Sequence, residues 1–481
     1  MLFNAIALAL LAGAQAVLPV VQIGNKFYQV DEDYNKMGKQ FTIVGVDYQI
    51  GGSSSFQVNG DSDVLSNGQI CLRDAYALQK LGANTIRVYS VSPWLNHDEC
   101  MSIFNDAGIY VIVDLNNPYQ SLTRQDPGNS YNEGYLNNVF GLVDAFKYYP
   151  NLLGFFAGNE VVNQDSDQDV PKYLRAVQRD VKQYINLHAN RTIPVGYSAA
   201  SIEEYRYTLW NYLQCGDEAS TADFYGLNSY EWCGNNDWES SGYGTMKSNF
   251  GNSSIPVFFS EYGCNKPEPR EFNEVTEGLY DPQGLGNVFS GGLVYEYAEE
   301  ANQYGLVDID DNGDVQYKQD YVNLKSKLSQ ISLPNTTQPS PNNTVSPPSC
   351  SGLDTIIDDF DLPDCPAPDM LQNGGGNRNI GHLIDISNIK NNYTIEDVAG
   401  NTQSGSVELT YTTNWQYNVP ERKIQTDASS SSAASTSAAS SSSQSASATA
   451  ASSSGKKKNA AVPTQMPVGA ALAAMAGLAF L

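Results

Sequence analysis

Eight short apolar segments constrain the fold of this chain more than any other feature of its sequence. Each is four to six residues long, and most are rich in β-branched or aromatic side chains, which is typical of buried strands. Helical patterns separate several of them, over Gln69–Leu81, Tyr135–Lys147 and Pro171–Leu187. This alternation over about 310 residues predicts an α/β fold, a parallel (β/α)8 barrel. The predicted strands are Phe41–Val46, Thr85–Tyr89, Tyr110–Asp114, Leu152–Phe156, Pro194–Tyr197, Phe224–Asn228, Pro256–Ser260 and Gly292–Tyr295.

An open, doubly wound sheet is the alternative arrangement of the same elements. Its dinucleotide-binding form requires a G-x-G-x-x-G turn after the first strand. No such motif follows Phe41–Val46. The barrel is therefore the preferred prediction, and it occupies residues 17–331.

The first sixteen residues have the pattern of a secretory signal peptide. A short apolar run ends in Ala14-Gln15-Ala16, an A-x-A cleavage site, so the mature chain is expected to begin at Val17. A transmembrane anchor is the alternative, but the run is shorter than the roughly 20 residues that a spanning helix needs.

The last residues, 459–481, have the layout of a GPI attachment signal. The small residues Asn459-Ala460-Ala461 precede a spacer and an apolar tail from Val468 to Leu481. Asn459 is the predicted attachment site, with Gly455 and Ser454 as competing positions. A tail-anchored helix is the alternative, and the tail is short for a span of about 20 residues.

Two further segments separate the barrel from this signal. Residues 427–458 are mostly Ser and Ala, which predicts a disordered, O-glycosylated stalk. Residues 332–426 combine a Pro/Asn/Ser/Thr connector with an acidic, Gly- and Asn-rich segment, which we interpret as a small appended β-rich module. Its clearest strand pattern is Ser406–Thr413, where polar and apolar residues alternate.

The remaining composition agrees with an exported glycoprotein. The seven cysteines are expected to form disulfides with one left over, because exported chains fold under oxidising conditions. With no C-x-x-C pair and three histidines we expect no metal site or cofactor, and a net charge of −26 argues against nucleic acid as a partner. The N-x-S/T sequons lie at Asn190, Asn252, Asn335, Asn342 and Asn392.

Two glutamates follow strong apolar runs at the ends of predicted strands four and seven. Glu160 follows LLGFFAGN, and Glu261 follows VFFS. The carboxyl ends of barrel strands carry the active site, so the two carboxylates are expected to face one cavity. Glycoside cleavage needs such a pair, with one group protonating the leaving oxygen and the other attacking the anomeric carbon. The alternative for each glutamate is a satisfied structural salt bridge.

Two neighbours of the pair fit the same chemistry. Asn159 could bond the sugar 2-hydroxyl, an interaction that can strengthen in the transition state. Tyr230 ends the neighbouring strand and could orient the nucleophile through its hydroxyl.

The motifs around these residues resemble those of the fungal GPI-anchored β-1,3-glucanosyltransferases of glycoside hydrolase family 72, the Gas, Gel and Phr proteins. The matching segments span nearly the whole predicted barrel. They are Gly45–Gln49 (GVDYQ), Arg87–Ser90 (RVYS), Ala157–Glu160 (AGNE), Asn228–Cys233 (NSYEWC), Phe259–Cys264 (FSEYGC) and Phe289–Tyr295 (FSGGLVY).

The resemblance implies a retaining mechanism in which Glu160 is the acid/base and Glu261 is the nucleophile. It implies donor-side sugar contacts for Tyr89, Asn159 and Tyr295, and an acceptor-side contact for Arg206. Further site residues implied by it are Gln49, Asp114 and Tyr230 around the pair, and Ser121 and Arg124 in the loop after strand three. The implied disulfides are Cys71–Cys100, Cys215–Cys350 and Cys233–Cys264, with Cys365 unpaired.

The chain departs from the family pattern in two places. The family usually has an acidic pair ahead of the matched arginine, whereas this chain reads Ser201-Ile-Glu-Glu-Tyr-Arg206, so the acceptor side could be reshaped. The Cys-rich carbohydrate-binding module of half the family is missing, which indicates the shorter subfamily.

The implied function is transfer of a cleaved β-1,3-glucan chain onto another glucan, which elongates the cell wall, without metal or nucleotide sugar. The expected partners are donor and acceptor glucan chains and a membrane reached through the GPI lipid. Two alternatives remain at this stage: an endo-β-1,3-glucanase that uses water as acceptor, and a non-catalytic wall protein that binds glucan.

Overall fold

The computed structural model describes residues 17–31, 37–164, 169–337, 339, 345–353, 357, 360–374 and 379–409. The predicted signal peptide, the Ser/Ala-rich stalk and the attachment signal with Asn459 lie outside these residues, and so does the sequon residue Asn342.

Eight parallel strands form a closed barrel, which confirms the predicted fold and excludes the open sheet. Each strand pairs with its neighbours in chain order, and the last strand, β11, pairs with the first, β4. The barrel strands are β4 (Ile43–Asp47), β5 (Thr85–Val88), β6 (Tyr110–Asp114), β7 (Leu152–Asn159), β8 (Val195–Ala200), β9 (Phe224–Ser229), β10 (Val257–Tyr262) and β11 (Gly291–Val294).

Helices connect most of these strands on the outside of the barrel. The three predicted helices are found with ends shifted by one or two residues, and a five-residue π-turn, Val275–Leu279, lies between β10 and β11. The helices are α1 (Gly68–Leu81), α2 (Asp98–Asp106), α3 (Pro127–Ser130), α4 (Glu133–Phe146), α5 (Val170–His188), α6 (Arg206–Gln214), α7 (Tyr243–Phe250) and α8 (Gln319–Leu328).

A three-stranded N-terminal sheet closes the end of the barrel at which the strands begin. It consists of β1 (Val20–Ile23), β2 (Lys26–Val30) and β3 (Met37–Phe41). Phe27 inserts its ring 6.0 Å from that of Phe224 and 6.1 Å from that of Phe258. The sequence analysis missed this sheet and merged the end of β3 with β4 into one strand.

The barrel interior changes from apolar to polar along the strands. Near the N-terminal sheet it is filled by buried apolar side chains such as Ile43, Ile112 and Phe258. Two residues further along their strands, Asp114 and Ser260 replace apolar side chains and are also buried. Because alternate residues of a strand face the same side, this change places polar groups at the carboxyl ends of the strands.

The described residues after the barrel pack along its outer helices. They contain α9 (Pro368–Asn373) and the two-residue strand β14 (Ile395–Glu396), which pairs with β13 (Val315–Tyr317) beside β12 (Val307–Ile309). Leu371, Leu383 and Ile395 join the core outside the barrel. These residues therefore extend the barrel's own packing.

The predicted strand over Ser406–Thr413 is wrong for residues 406–409, which are not in a strand, and the rest lies outside the described residues. The backbone N–H of Glu408 donates to Gln79 Oε1 (2.8 Å), and its carbonyl accepts from Gln79 Nε2 (2.7 Å). A helix side chain thus satisfies the backbone groups that a neighbouring strand would otherwise bond.

The structure contains the disulfides Cys71–Cys100, Cys215–Cys350 and Cys233–Cys264, the pairs implied by the family resemblance. Cys365 is half-buried and forms no disulfide. Within the part of the chain that the structure describes, no helix is both long and apolar enough to cross a membrane. The four described sequon residues are exposed, and they are Asn190, Asn252, Asn335 and Asn392.

Candidate active site

Glu261 lies near the end of β10, and donors from three other positions hold its carboxylate. Oε1 accepts from the Tyr89 hydroxyl (2.9 Å) and from Arg87 Nη1 (3.3 Å). Oε2 accepts from the Tyr230 hydroxyl (2.7 Å). Since only 9% of Glu261 is exposed, these donors replace most of the water that a carboxylate otherwise needs. The group is oriented and partly desolvated, as an attacking nucleophile requires.

Arg87 is the fully buried cation at the centre of this arrangement. Its Nε and Nη2 donate to the two carboxylate oxygens of Asp114 at 3.0 and 2.8 Å. Its guanidinium also lies 4.2 Å from the ring centre of Tyr89 and 4.5 Å from that of Phe156. The bidentate bond and the two rings leave Arg87 little freedom, so its Nη1 stays directed at Glu261.

Glu160 follows directly after β7, and its backbone turns sharply there. Its φ of 50° lies in the left-handed region that non-glycine residues seldom adopt. The Glu160 N–H donates to the Ser198 carbonyl (2.9 Å), and Oε1 accepts from Asn228 Nδ2 (2.8 Å). Glu160 is half-buried, so part of the residue stays accessible from outside the barrel.

Burial raises the pKa of Glu261 to about 7, and the charge of Glu160 acts in the same direction. The Arg87 charge and the hydroxyls of Tyr230 and Tyr89 oppose this rise. Glu261 accepts from three donors and Glu160 from one, so the site stabilises a carboxylate most strongly at Glu261.

A second buried carboxyl group lies close to the nucleophile. Asp47 ends β4 and is fully buried. Burial raises its pKa well above the usual range, and the charges of Glu261 and Asp114 add to this effect. The positive charge of Arg87 opposes this rise.

Four half-buried tyrosines lie around Glu261. The ring of Tyr295 stands edge-on to those of Tyr89 (6.5 Å), Tyr230 (6.3 Å) and Tyr304 (5.4 Å). Arg270 holds this side of the site, since it donates to the carbonyls of Tyr295 (2.7 Å) and Tyr304 (2.6 Å). Rings with partly exposed faces suit the C–H faces of sugars.

The other predicted site residues occupy different positions around the pair. Gln49 Oε1 accepts from the backbone N–H groups of Tyr89 (3.2 Å) and Ser90 (3.0 Å), so Gln49 holds the chain that carries Tyr89. Ser121 and Arg124 are half-buried in the loop after β6, and Arg124 bonds to Asn163 in the loop after β7.

Arg206 is buried in an ion pair. Its Nη1 lies 2.7 Å from Glu231 Oε1 and 2.7 Å from Ser201 Oγ, and the Ser201 hydroxyl donates to the same carboxylate. Among the described contacts, none joins Arg206 to Glu160 or Glu261. Its implied acceptor-side role therefore stays a prediction.

Sequence reasoning assigned no site role to several residues that the structure brings to the carboxylates. Arg87 had a usable signal, because a lone charge inside the apolar run Thr85–Tyr89 needs a buried partner. Asn228 also had one, as a polar residue at a strand end. Ser198 and Ser260 carried the same signal, because Ser198 directly follows a predicted strand and Ser260 ends one.

The sequence of this chain is similar to those of known glucanosyltransferases. The profile of the Glucanosyltransferase family, glycoside hydrolase family 72, matches residues 9–332. The probable 1,3-beta-glucanosyltransferase GAS3 of Saccharomyces cerevisiae is 50% identical over 395 residues, which are 76% of this chain and 74% of that protein. The 1,3-beta-glucanosyltransferase gel2 of Aspergillus fumigatus is 47% identical over 433 residues, 87% of this chain and 88% of the relative.

A solved structure has the same fold. It is a mutant of Saccharomyces cerevisiae Gas2p in complex with laminaritetraose and laminaripentaose. It superposes with a TM-score of 0.65 at 37% identity, and the match covers 73% of this chain and 76% of Gas2p.

Proposed function

Because this chain belongs to the glucanosyltransferase family, glycoside hydrolase family 72, we propose that it is a β-1,3-glucanosyltransferase. It cleaves a β-1,3-glucan chain internally and transfers the new reducing end to a second glucan, which elongates cell-wall glucan. The observation that carries this proposal is the carboxyl pair, with Glu261 held by Tyr89, Tyr230 and Arg87 and Glu160 held by Asn228.

In the first half of the reaction, a Glu261 carboxylate oxygen attacks the anomeric carbon of the donor. The bond from that carbon to the glycosidic oxygen breaks, and Glu160 gives its proton to the departing oxygen. The products are a glucosyl ester on Glu261 and a shortened chain. Asn159 precedes Glu160 and offers its amide to the 2-hydroxyl of the same sugar.

In the second half, ionised Glu160 takes the proton of a 3-hydroxyl on the acceptor glucan. The acceptor oxygen attacks the anomeric carbon, and the ester bond to Glu261 breaks. Two displacements at one carbon retain its β configuration. Transfer requires the acceptor to bind well enough to outcompete water, and the loops that carry Ser201, Arg206 and Glu231 are proposed to form part of that acceptor side.

We further propose that the enzyme is attached through a GPI anchor at Asn459 and acts at the outer face of the plasma membrane or in the adjoining wall. The disulfides and the exposed sequon residues support passage through an oxidising, glycosylating compartment. Release of the intact protein from membranes by a GPI-specific phospholipase would support this assignment. Membrane retention of Asn459→Gln, with the neighbouring sites unchanged, would contradict Asn459 as the attachment residue.

The test of the activity uses the secreted chain, truncated before residue 427, with end-labelled laminaripentaose. Transfer predicts labelled products longer than the starting sugar, made while shorter ones accumulate. Only shorter products would mean an endo-β-1,3-glucanase that uses water. Binding of the sugar without any product would favour a non-catalytic wall protein.

A further inference from the structure

Two serine hydroxyls lie buried inside the barrel beneath the catalytic pair. Ser198 of β8 and Ser260 of β10 are both fully buried, and their Oγ atoms are 2.9 Å apart. Ser198 Oγ is also 2.7 Å from Asn159 Oδ1 and 3.1 Å from Asn228 Oδ1. Ser260 Oγ is 2.8 Å from Asn228 Oδ1. Four polar side chains from β7 to β10 thus form one connected cluster.

The Glu160 carboxylate, which accepts, and the serine hydroxyls, which can donate to the amide oxygens, together determine how this cluster is arranged. Each serine has one hydroxyl hydrogen to donate, and each asparagine oxygen is an acceptor. The shortest contacts assign the Ser198 hydrogen to Asn159 Oδ1 and the Ser260 hydrogen to Asn228 Oδ1. Both amide oxygens then accept within the cluster, and the Asn228 NH2 group lies between Asn159 Oδ1 and Glu160 Oε1.

The orientation of the Asn228 amide determines which atom faces the carboxyl group of Glu160. Asn228 Nδ2 donates to Glu160 Oε1 at 2.8 Å and to Asn159 Oδ1 at 3.2 Å. If the Asn228 amide were reversed, its oxygen would face the carboxylate oxygen of Glu160, and the two would repel each other. With Oε1 accepting from Asn228, Oε2 is the oxygen left to carry the transferable proton. The Asn159 NH2 group is left free to meet the substrate.

Packing shows that the cluster requires space in the barrel interior. A Cβ at Gly226 of β9 would lie 2.6 Å from both Cβ and Oγ of Ser260. Real Cβ atoms do not approach other atoms so closely, so the glycine makes room for the Ser260 hydroxyl. The position of Ser260 therefore depends on a neighbouring strand as well as its own.

We propose that Ser198 and Ser260 are a positioning pair that fixes the amide orientation of Asn159 and Asn228 and thereby makes Oε2 of Glu160 the proton-donating oxygen. This inference rests on the proposed function, since it describes how that reaction's acid is aligned. The serines touch no reacting atom, and they act through the asparagines.

The experiment compares two donors that differ in their need for an acid. Laminaripentaose has a sugar leaving group that must be protonated. In β-laminaritriosyl fluoride the leaving group is a fluoride ion, which departs with little assistance from an acid. For Ser198→Ala and for Ser260→Ala, kcat/KM on laminaripentaose should fall about 10-fold, part of the 10²- to 10⁴-fold that general acid catalysis supplies. On the fluoride, kcat/KM, which reports the bond-breaking step, should fall by a clearly smaller factor, because that donor needs no acid and loses only the contact of Asn159 with the 2-hydroxyl. The double variant should resemble the single variants, since the pair acts as a unit.

Ser102→Ala is the matched control, because Ser102 is equally buried but accepts only from the Ile384 N–H, in the outer layer. Its kcat/KM on both donors should equal that of the wild type. An equal fall of kcat/KM on both donors in the serine variants would indicate a packing defect and overturn the inference. An unchanged kcat/KM on both donors would show that the serines position nothing, and it would overturn the inference as well. A wild-type enzyme that turns over neither donor would overturn the proposed function and this inference with it.

Discussion

At the scale of single residues, each catalytic group depends on donors that come from other strands. Glu261 of β10 accepts from Arg87 in β5, from Tyr89 directly after β5 and from Tyr230 directly after β9. Such donors fix the carboxylate before substrate arrives, so little reorganisation is needed during the reaction.

Arg87 should prove necessary for both stability and activity. Arg87→Met leaves Asp114 buried without its cation, which should lower the free energy of unfolding by about 3–5 kcal/mol. Arg87→Lys keeps the charge but loses the bidentate bond and the planar stacking, so it should be less destabilised and still lose most activity. Denaturant unfolding and kcat/KM on laminaripentaose measure the two effects.

The control for Arg87 is an exposed ion pair. Lys80 lies 2.6 Å from Glu408 at the surface, and Lys80→Met should leave the free energy of unfolding nearly unchanged, because water and salt screen an exposed ion pair. An Arg87→Met variant as stable and active as this control would contradict the role assigned to Arg87.

At the scale of elements, the barrel strands carry small residues where neighbours need space. Gly196 and Gly226 lie in adjacent strands, and a Cβ at Gly196 would come within 2.2 Å of the Phe224 ring. Strand glycines usually weaken a strand, so these positions indicate close approach inside the barrel.

Gly226→Ala should be destabilising by about 1–3 kcal/mol, because the added methyl overpacks the interior at Ser260. Gly158→Ala is the matched control in β7, since a Cβ there would meet its nearest atoms at an ordinary 3.4 Å. Thermal unfolding of both variants is the measurement. Equal stabilities would show that the barrel interior accepts the methyl group.

The sequence predicted those parts of the fold and site that are marked by local patterns. Eight apolar runs identified the barrel strands, and the carboxylates that follow two of them identified Glu160 and Glu261. The N-terminal sheet was missed because β1–β3 are short and mix polar with apolar residues. The Ser198–Ser260 contact was not predictable, because it joins residues 62 positions apart that the closure of the barrel brings together.

At the scale of the whole molecule, several buried carboxyl groups make stability depend on pH. Burial raises the pKa of Glu274 and of Glu296 to about 7 each. An unfolded chain would ionise these groups near 4.3. The folded form therefore holds protons that the unfolded form releases between these values.

The contribution of these groups to the free energy of unfolding should therefore be fully present below about pH 4.3. It should be lost progressively as the pH rises from there through about 7. Each group contributes a slope of at most about 1.4 kcal/mol per pH unit. Denaturant unfolding at pH 5, 6, 7 and 8 measures the decline, and Glu274→Gln should remove one group's share of it. Stability that increased over this range would contradict the assigned direction.

In the proposed mechanism Glu261 attacks the anomeric carbon of the sugar, and Glu160 donates and then takes up the proton. The direct measurement treats the enzyme with a 2-deoxy-2-fluoro laminaribiosyl fluoride, which slows breakdown of a glucosyl ester, and locates the added mass by peptide mass spectrometry. We expect an adduct on the peptide that contains Glu261, retained in Ser102→Ala and lost in Glu261→Gln. An adduct on Glu160, or one that survives Glu261→Gln, would contradict the proposed mechanism.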